Sequence, residues 1–195
     1  QIEALLAEMA PEFGPDTVVI SVAAGISIAR LQAAVGGRCP VVRCMPNTPA
    51  LVGKGVFALC FDDKVPAESK EDILRFFSQL GVCLELPESR FTAFSALIGA
   101  GPAYVFGMMQ GLVQAGVTLG LGRKDCRDMV AALFEGSAVM AARSDTPLME
   151  LRDQVCSPGG LTIAGVNVLD RAGLSGLLVD AVLAADERGR EMEKE

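Results

Sequence analysis

A polar, glycine-bearing segment late in the chain has the residue types of an anion-binding turn. It reads Asp153-Gln-Val-Cys-Ser-Pro-Gly-Gly-Leu-Thr-Ile-Ala-Gly165 and leads into a helical pattern. Ser157 is predicted as the N-cap and Pro158 as the first helical residue, with Thr162 in the next turn. A helix start of this kind presents free backbone N–H groups, which suit a carboxylate or a phosphate. Ser-Pro is also a common helix start without any ligand, and the segment alone does not decide between these readings.

A second loop, Met45-Pro-Asn-Thr-Pro-Ala50, has the stiffness expected of a ligand-binding loop. Its two prolines bracket Asn47 and Thr48, so the backbone stays extended and cannot continue the preceding strand. In open α/β sheets, ligands bind in the loops after the carboxyl ends of strands. A plain proline-rich turn is the alternative explanation.

The first half of the chain has the pattern of a parallel sheet with helices. This sheet must position the Met45–Ala50 loop. The β-branched run 17–22 predicts a strand buried on both faces, and with the helix at 28–35 and the strand at 39–44 it forms a strand–helix–strand unit, which predicts a parallel sheet. Pro87 marks the predicted boundary between a domain at 1–88 and a second at 89–195. Strands are predicted at 17–22, 39–44, 55–61 and 81–86, and helices at 2–10, 28–35 and 69–80.

The second half has no strand pattern and is predicted to be all-helical. No charged residue occurs from Phe91 to Gly122, which is long enough to span a bilayer, but Pro102 and five glycines between Gly99 and Gly116 argue against insertion. A helix this apolar needs more cover than its own domain offers, so we infer an obligate dimer. Helices are predicted at 90–97, 102–120, 124–142, 147–154, 159–172 and 175–193.

Composition excludes several classes of function. The net charge of −7 argues against nucleic acid as a partner, and the absence of histidine removes histidine-based catalysis and metal sites. The six cysteines are scattered with no Cys-x-x-Cys pair, which indicates buried thiols in a reducing, cytoplasmic compartment and no metal site.

Together the motifs resemble those of the pyrroline-5-carboxylate reductase family. The Ser-Pro-Gly-Gly segment is the family's signature, and the Met-Pro-Asn-Thr-Pro segment is nearly as specific. The likeness covers the whole chain in the right order. It is carried by Val19-Ile-Ser-Val-Ala-Ala-Gly-Ile26, Val42-Arg-Cys-Met-Pro-Asn-Thr-Pro49, Gly99-Ala-Gly-Pro-Ala-Tyr-Val-Phe106, Ala115-Gly-Val-Thr-Leu-Gly-Leu121 and Leu151–Gly165.

The resemblance implies an enzyme that reduces 1-pyrroline-5-carboxylate to L-proline with NADPH or NADH. It implies the carboxyl-terminal part of a Rossmann domain, followed by a helical domain that forms a homodimer and in many members a decamer. The cofactor would lie along Ala23, Ala24 and Gly25 and against Met45, Pro46, Asn47 and Thr48. The substrate carboxylate would be held by Cys156, Ser157, Pro158, Gly159, Gly160 and Leu161, and Thr162 would place a catalytic hydroxyl near the ring nitrogen.

The chain also departs from the family's pattern. The opening strand and its Gly-x-Gly-x-x-Gly turn are not in the sequence, so we expect this chain by itself to be inactive. Family hydroxyls are replaced by Ile98, Ala100 and Leu161. A related imine or hydroxyacid reductase with another substrate, or a non-catalytic dimerisation module, therefore remains an alternative.

Overall fold

The described chain forms two compact units. In a computed structural model, which describes residues 2–14 and 16–193, the first unit holds the residues up to Pro102 and those from Val182 onwards. The second unit is Ala103–Ala181. The predicted domain limits of 1–88 and 89–195 follow the change from strands to helices and stay a prediction.

A four-stranded sheet with the order β1-β2-β3-β4 forms the centre of the first unit. The β1–β2 and β3–β4 pairs are parallel, as predicted, but β2 and β3 are antiparallel. The chain between them is too short for the crossover helix that a parallel pair requires. The strands are β1 (Val19–Ser21), β2 (Val41–Met45), β3 (Gly55–Phe61) and β4 (Gly81–Glu85).

Helices cover both faces of this sheet, and Val41 and Val42 of β2 pack in hydrophobic cores on opposite faces. One face packs against a core that includes Leu31, and the other packs against Phe77. β1 is instead an edge strand in which Ile20 is 37% exposed, so the prediction that the run 17–22 is buried on both faces is wrong. The first helices are α1 (Ile2–Met9), α2 (Ile28–Ala34) and α3 (Ala67–Ser78).

Helices make up the rest of the chain, which confirms the predicted fold class of an α/β sheet region followed by an all-α region. A π-helical turn at Ser95–Gly99 interrupts the run between the first two of them. The core of the second unit is small and centres on Val113, Cys126 and Val130. The helices are α4 (Phe91–Phe94), α5 (Gly101–Thr118), α6 (Arg123–Ala142), α7 (Leu148–Gln154), α8 (Leu161–Arg171) and α9 (Leu174–Met192).

The helical run Glu88–Thr118 is, among the described residues, the one long and apolar enough by length and composition to cross a membrane. This is weak evidence, because the central helix of a helical domain passes the same test. Within α5, a Cβ at Gly116 would lie 2.6 Å from the Cys126 sulfur, so this glycine lets α6 approach closely. Gly107 and Gly111 face open space in this chain, and α5 ends before Gly120.

Candidate functional site

The loop after β1 forms one wall of a cavity in the first unit. Ser21 Oγ accepts a hydrogen bond from the Ala23 N–H at 3.3 Å, and Gly25 turns the chain with a φ of 74°. That left-handed conformation favours glycine. The next helix, α2, begins after Ser27, whose hydroxyl accepts from the Arg30 N–H at 3.2 Å. The turn therefore exposes a small, open backbone at the carboxyl end of a strand.

Two adjoining cavities meet at this turn. The first, of about 260 Å³, is mostly apolar and is walled by Ala24 and Gly25, by Ser95, Ala96 and Ala100, and by the last turns of α9. The second, of about 330 Å³, is more polar and includes Ser27 and Glu88. Both contain Gly25, Arg43 and Glu193. Small side chains line much of the first cavity, among them the predicted cofactor-site residues Ala24 and Gly25.

Arg43 is the buried charge between the two cavities. Its Nη1 donates to Glu88 Oε1 at 3.0 Å, and its guanidinium carbon lies 4.7 Å from the centre of the Phe91 ring. Its Nη2 lies 3.6 Å from Glu193 Oε1, and that oxygen also accepts from the Thr92 hydroxyl at 2.7 Å. A buried guanidinium needs such partners, since an isolated buried charge is very costly.

Glu88 connects this charge to α2. The same Oε1 accepts a hydrogen bond from the Ile28 N–H at 2.7 Å, at the first residue of α2, where a carboxylate is favoured. Arg43, Glu88 and Glu193 were not predicted as site residues from the sequence. A charged residue inside the apolar run of β2 is the signal that could have identified Arg43, because such a residue must find a partner.

The Met45–Thr48 loop packs inwards. Asn47 Oδ1 accepts from the Val56 N–H at 2.9 Å, and Asn47 Nδ2 donates to the Ile98 carbonyl at 3.3 Å. Met45 packs in a core cluster that includes Phe91 and Ile98. Met45–Thr48 are not among the described residues that line either cavity. The contact of this loop with a cofactor stays a prediction.

The Ser-Pro-Gly-Gly segment lies in the second unit and forms a tight turn before α8. The Gly160 N–H donates to the Ser157 carbonyl at 3.0 Å, Pro158 occupies the second position, and Gly159 has a φ of 68°. These are the features of a type II turn. The prediction that Ser157 is the N-cap and Pro158 the first helical residue is therefore wrong, because α8 begins at Leu161 with Gly160 as its N-cap.

The start of α8 presents free backbone donors. Its first helical hydrogen bond runs from the Ala164 N–H to the Gly160 carbonyl at 3.3 Å, so the N–H groups of residues 161–163 precede the helical ladder. The Leu161 side chain is 95% exposed. A Cβ at Gly160 would lie 3.2 Å from the Ser157 carbonyl oxygen and closer still to its hydroxyl, so a side chain there would crowd Ser157. This turn therefore presents backbone N–H donors of the kind that suit an anion.

Arg152, on α7, forms ion pairs beside this turn. It lies 3.0 Å from Asp153 and 3.4 Å from Asp170 on α8, and the hydrogen bond to Asp153 is the main cause that raises the Arg152 pKa. Arg152 thus forms ion pairs with two carboxylates, and the pair with Asp170 connects α7 to α8, the two helices that flank the turn.

The buried Cys44 thiol is held in its protonated form. Burial, with a smaller contribution from nearby Cys83, raises the pKa of the Cys44 thiol to about 12, so it stays protonated at neutral pH. The six cysteines are free, and the described residues contain no group of three metal-ligating side chains.

Comparisons with known proteins agree with these features. Residues 88–192 match the family described as pyrroline-5-carboxylate reductase dimerisation. Pyrroline-5-carboxylate reductase of Pseudomonas aeruginosa is 38% identical over 98% of this chain and 70% of its own length, and that of Corynebacterium melassecola is 40% identical over 91% of this chain and 66% of its own length. This chain thus spans about two thirds of the length of these relatives.

Solved structures give the same result. A Plasmodium falciparum pyrroline carboxylate reductase with NADP bound superposes with a TM-score of 0.91 at 33% identity, over 98% of this chain and 77% of the other. A pyrroline-5-carboxylate reductase from Coxiella burnetii gives 0.89 at 30% identity, over 98% and 72%. As its motifs predicted, the chain belongs to the pyrroline-5-carboxylate reductase family.

Proposed function

We propose that the protein reduces 1-pyrroline-5-carboxylate to L-proline with NADPH or NADH. One observation carries this beyond family membership. The Ser-Pro-Gly-Gly turn leaves the N–H groups of residues 161–163 without helical acceptors, at the place where the family resemblance puts the substrate carboxylate. A helix start of this kind favours an anion through its unpaired donors and its dipole.

The chain's own residues would position the reactants. The backbone of the 157–162 turn would hold the carboxylate, and the Thr162 hydroxyl would lie near the ring nitrogen that must be protonated as the C=N bond is reduced. Ala24 and Gly25, with the cavity behind them, fit the nicotinamide end of the cofactor. The bound cofactor supplies the hydride. Fixed geometry then accounts for much of the rate, because the reaction needs few acid–base groups.

The protein would act as a homodimer through the helical region. The match of residues 88–192 to a dimerisation family supports this, as do apolar side chains that the second unit leaves exposed, such as Phe106 at 63% and Leu133 at 55%. Open space at Gly107 and Gly111 would admit a partner helix. The same proposal includes further assembly into a decamer, which sedimentation of the purified protein tests. It also includes a cytoplasmic location and the absence of membrane or nucleic-acid partners.

The test uses the full-length protein with pyrroline-5-carboxylate and each nicotinamide cofactor. We expect oxidation of NADPH or NADH matched one for one by L-proline. The Thr162→Ala variant is the control for turnover at this site. It should have a lower kcat and an unchanged oligomeric state. A folded oligomer that oxidises neither cofactor in the presence of the imine would contradict the proposal.

A second candidate is a related reductase for a larger or less polar cyclic imine. It is favoured by Ala100, which lines the apolar cavity where the family has a hydroxyl. Ile98 supports it less, because its side chain packs in a core cluster. A panel of cyclic imines with five- and six-membered rings separates the candidates through kcat/KM. A preference for the five-membered ring supports the first.

A further inference from the structure

A proline leaves a backbone carbonyl in need of a donor beside the first cavity. In an α-helix the carbonyl of residue 98 would accept a hydrogen bond from the N–H of residue 102. Residue 102 is Pro102, which has no N–H, and its ring crowds the carbonyl four residues earlier. The helix responds with the π-helical turn Ser95–Gly99, in which the Ala100 N–H donates to the Ser95 carbonyl at 2.9 Å.

The missing donor is supplied from another part of the chain. Asn47 Nδ2 donates to the Ile98 carbonyl at 3.3 Å across 51 residues of sequence. The other end of the same amide, Oδ1, accepts from the Val56 N–H at 2.9 Å, at the start of β3. Both ends of the amide are therefore used within the protein. The Met-Pro-Asn-Thr-Pro loop and the Gly-Pro segment, which are separate motifs in the sequence, meet at this side chain.

The bridge fixes a wall of the cavity. Ser95, Ala96 and Ala100 belong to or adjoin the π-helical turn and line the first cavity together with Gly25. On the other side, a Cβ at Gly99 would lie 3.0 Å from Met45 Cε, so the loop and the turn are in close contact. A shift of the turn would move the cavity wall towards or away from whatever occupies it.

We propose that Asn47 is a positioning residue whose amide replaces the N–H that Pro102 lacks and thereby holds the cavity wall in place. Asn47 acts through Ile98 and the π-helical turn, and its amide is not a direct cofactor ligand. The hydrogen-bond role is a property of the fold alone, whereas its effect on turnover rests on the proposed imine reduction.

The test is a double-mutant cycle in the full-length protein. Asn47→Asp keeps the acceptor for the Val56 N–H and removes the donor to Ile98, and Pro102→Ala returns an N–H at position 102. We expect Asn47→Asp to lower kcat about fivefold, the equivalent of one neutral hydrogen bond, with the Kd for NADPH within about twofold of wild type. The double variant should recover most of that loss. Asn167→Ala, at the other asparagine of the chain, is the exposed control and should change neither constant.

A second readout is independent of activity. The urea midpoint of Asn47→Asp should fall in the wild-type background and fall less in the Pro102→Ala background. If the full-length protein reduces no imine, the proposed function fails, but this coupling still decides the role of Asn47. Additive losses in both readouts, or a weakened Kd for NADPH that Pro102→Ala does not relieve, would overturn the inference.

Discussion

Removal of the Arg43 side chain should destabilise the first unit far more than removal of an exposed arginine. Arg43→Ala deletes a charge-assisted hydrogen bond to Glu88, which contributes about 1.5–3 kcal/mol, and a cation–π contact with Phe91, which adds about 0.5–2 kcal/mol. The longer contact with Glu193 is partly exposed and adds little. Because these terms overlap, we expect a loss of ~2–4 kcal/mol in the free energy of unfolding.

The assay is urea unfolding at a fixed protein concentration, because an oligomer's stability depends on concentration. The matched control is Arg75→Ala, which removes an ion pair with Asp72 between side chains that are 71% and 63% exposed; it should cost at most ~0.5 kcal/mol. If Arg43→Ala and Arg75→Ala unfold at the same urea concentration, the guanidinium does not link α2, the sheet and the C-terminal residues as described.

Three further predictions concern the turn before α8 and the buried thiol. Gly160→Ala should raise the KM for the imine severalfold, because its Cβ would contact the Ser157 hydroxyl. Adding Ser157→Ala to this variant should lower the KM again. A KM that stays raised in the double variant would contradict a clash with the Ser157 hydroxyl. Thr162→Ala should lower kcat about tenfold or more with little change in the unfolding midpoint, whereas an unchanged kcat would remove its hydroxyl from the mechanism. The folded-state pKa of Cys44 is raised from 9.0 to about 12, so its contribution to stability is full below pH 9 and is lost as pH rises towards 12. Urea unfolding over that interval should show a shallower decline for Cys44→Ala than for wild type, and parallel declines would argue against this burial effect.

The sequence pattern predicted helices and strands well where a single segment determines the secondary structure. The helix predicted at 124–142 is observed at Arg123–Ala142, and the strand predicted at 55–61 is observed at Gly55–Phe61. These segments carry a periodic apolar pattern or a continuous apolar run bounded by turn residues. Such signals need no knowledge of distant contacts.

The errors arise where neighbouring preferences compete. Ser157-Pro158 has the composition of a helix start, but Pro158-Gly159 also fits the two central positions of a type II turn. The turn prevails, and the helix begins only at Leu161. The antiparallel pairing of β2 and β3 was not predicted, because the composition of a strand does not indicate its direction. Only the short connection between the two strands indicates that they are antiparallel.

The contacts that define the candidate site are long-range, and one sequence does not contain them. Asn47 and Ile98 are far apart in the chain, as are Arg43 and Glu88. The motif identifies Asn47 as a residue of interest through the family resemblance. Only the three-dimensional arrangement indicates that its amide is used within the protein.

The most direct test of the proposed substrate site is a crystal structure of the full-length protein with oxidised cofactor and L-proline. We predict that the carboxylate of proline accepts hydrogen bonds from backbone N–H groups of the 157–163 segment, with the Thr162 hydroxyl beside the ring nitrogen. A carboxylate bound to the Arg43 guanidinium, or at any place away from this turn, would contradict it.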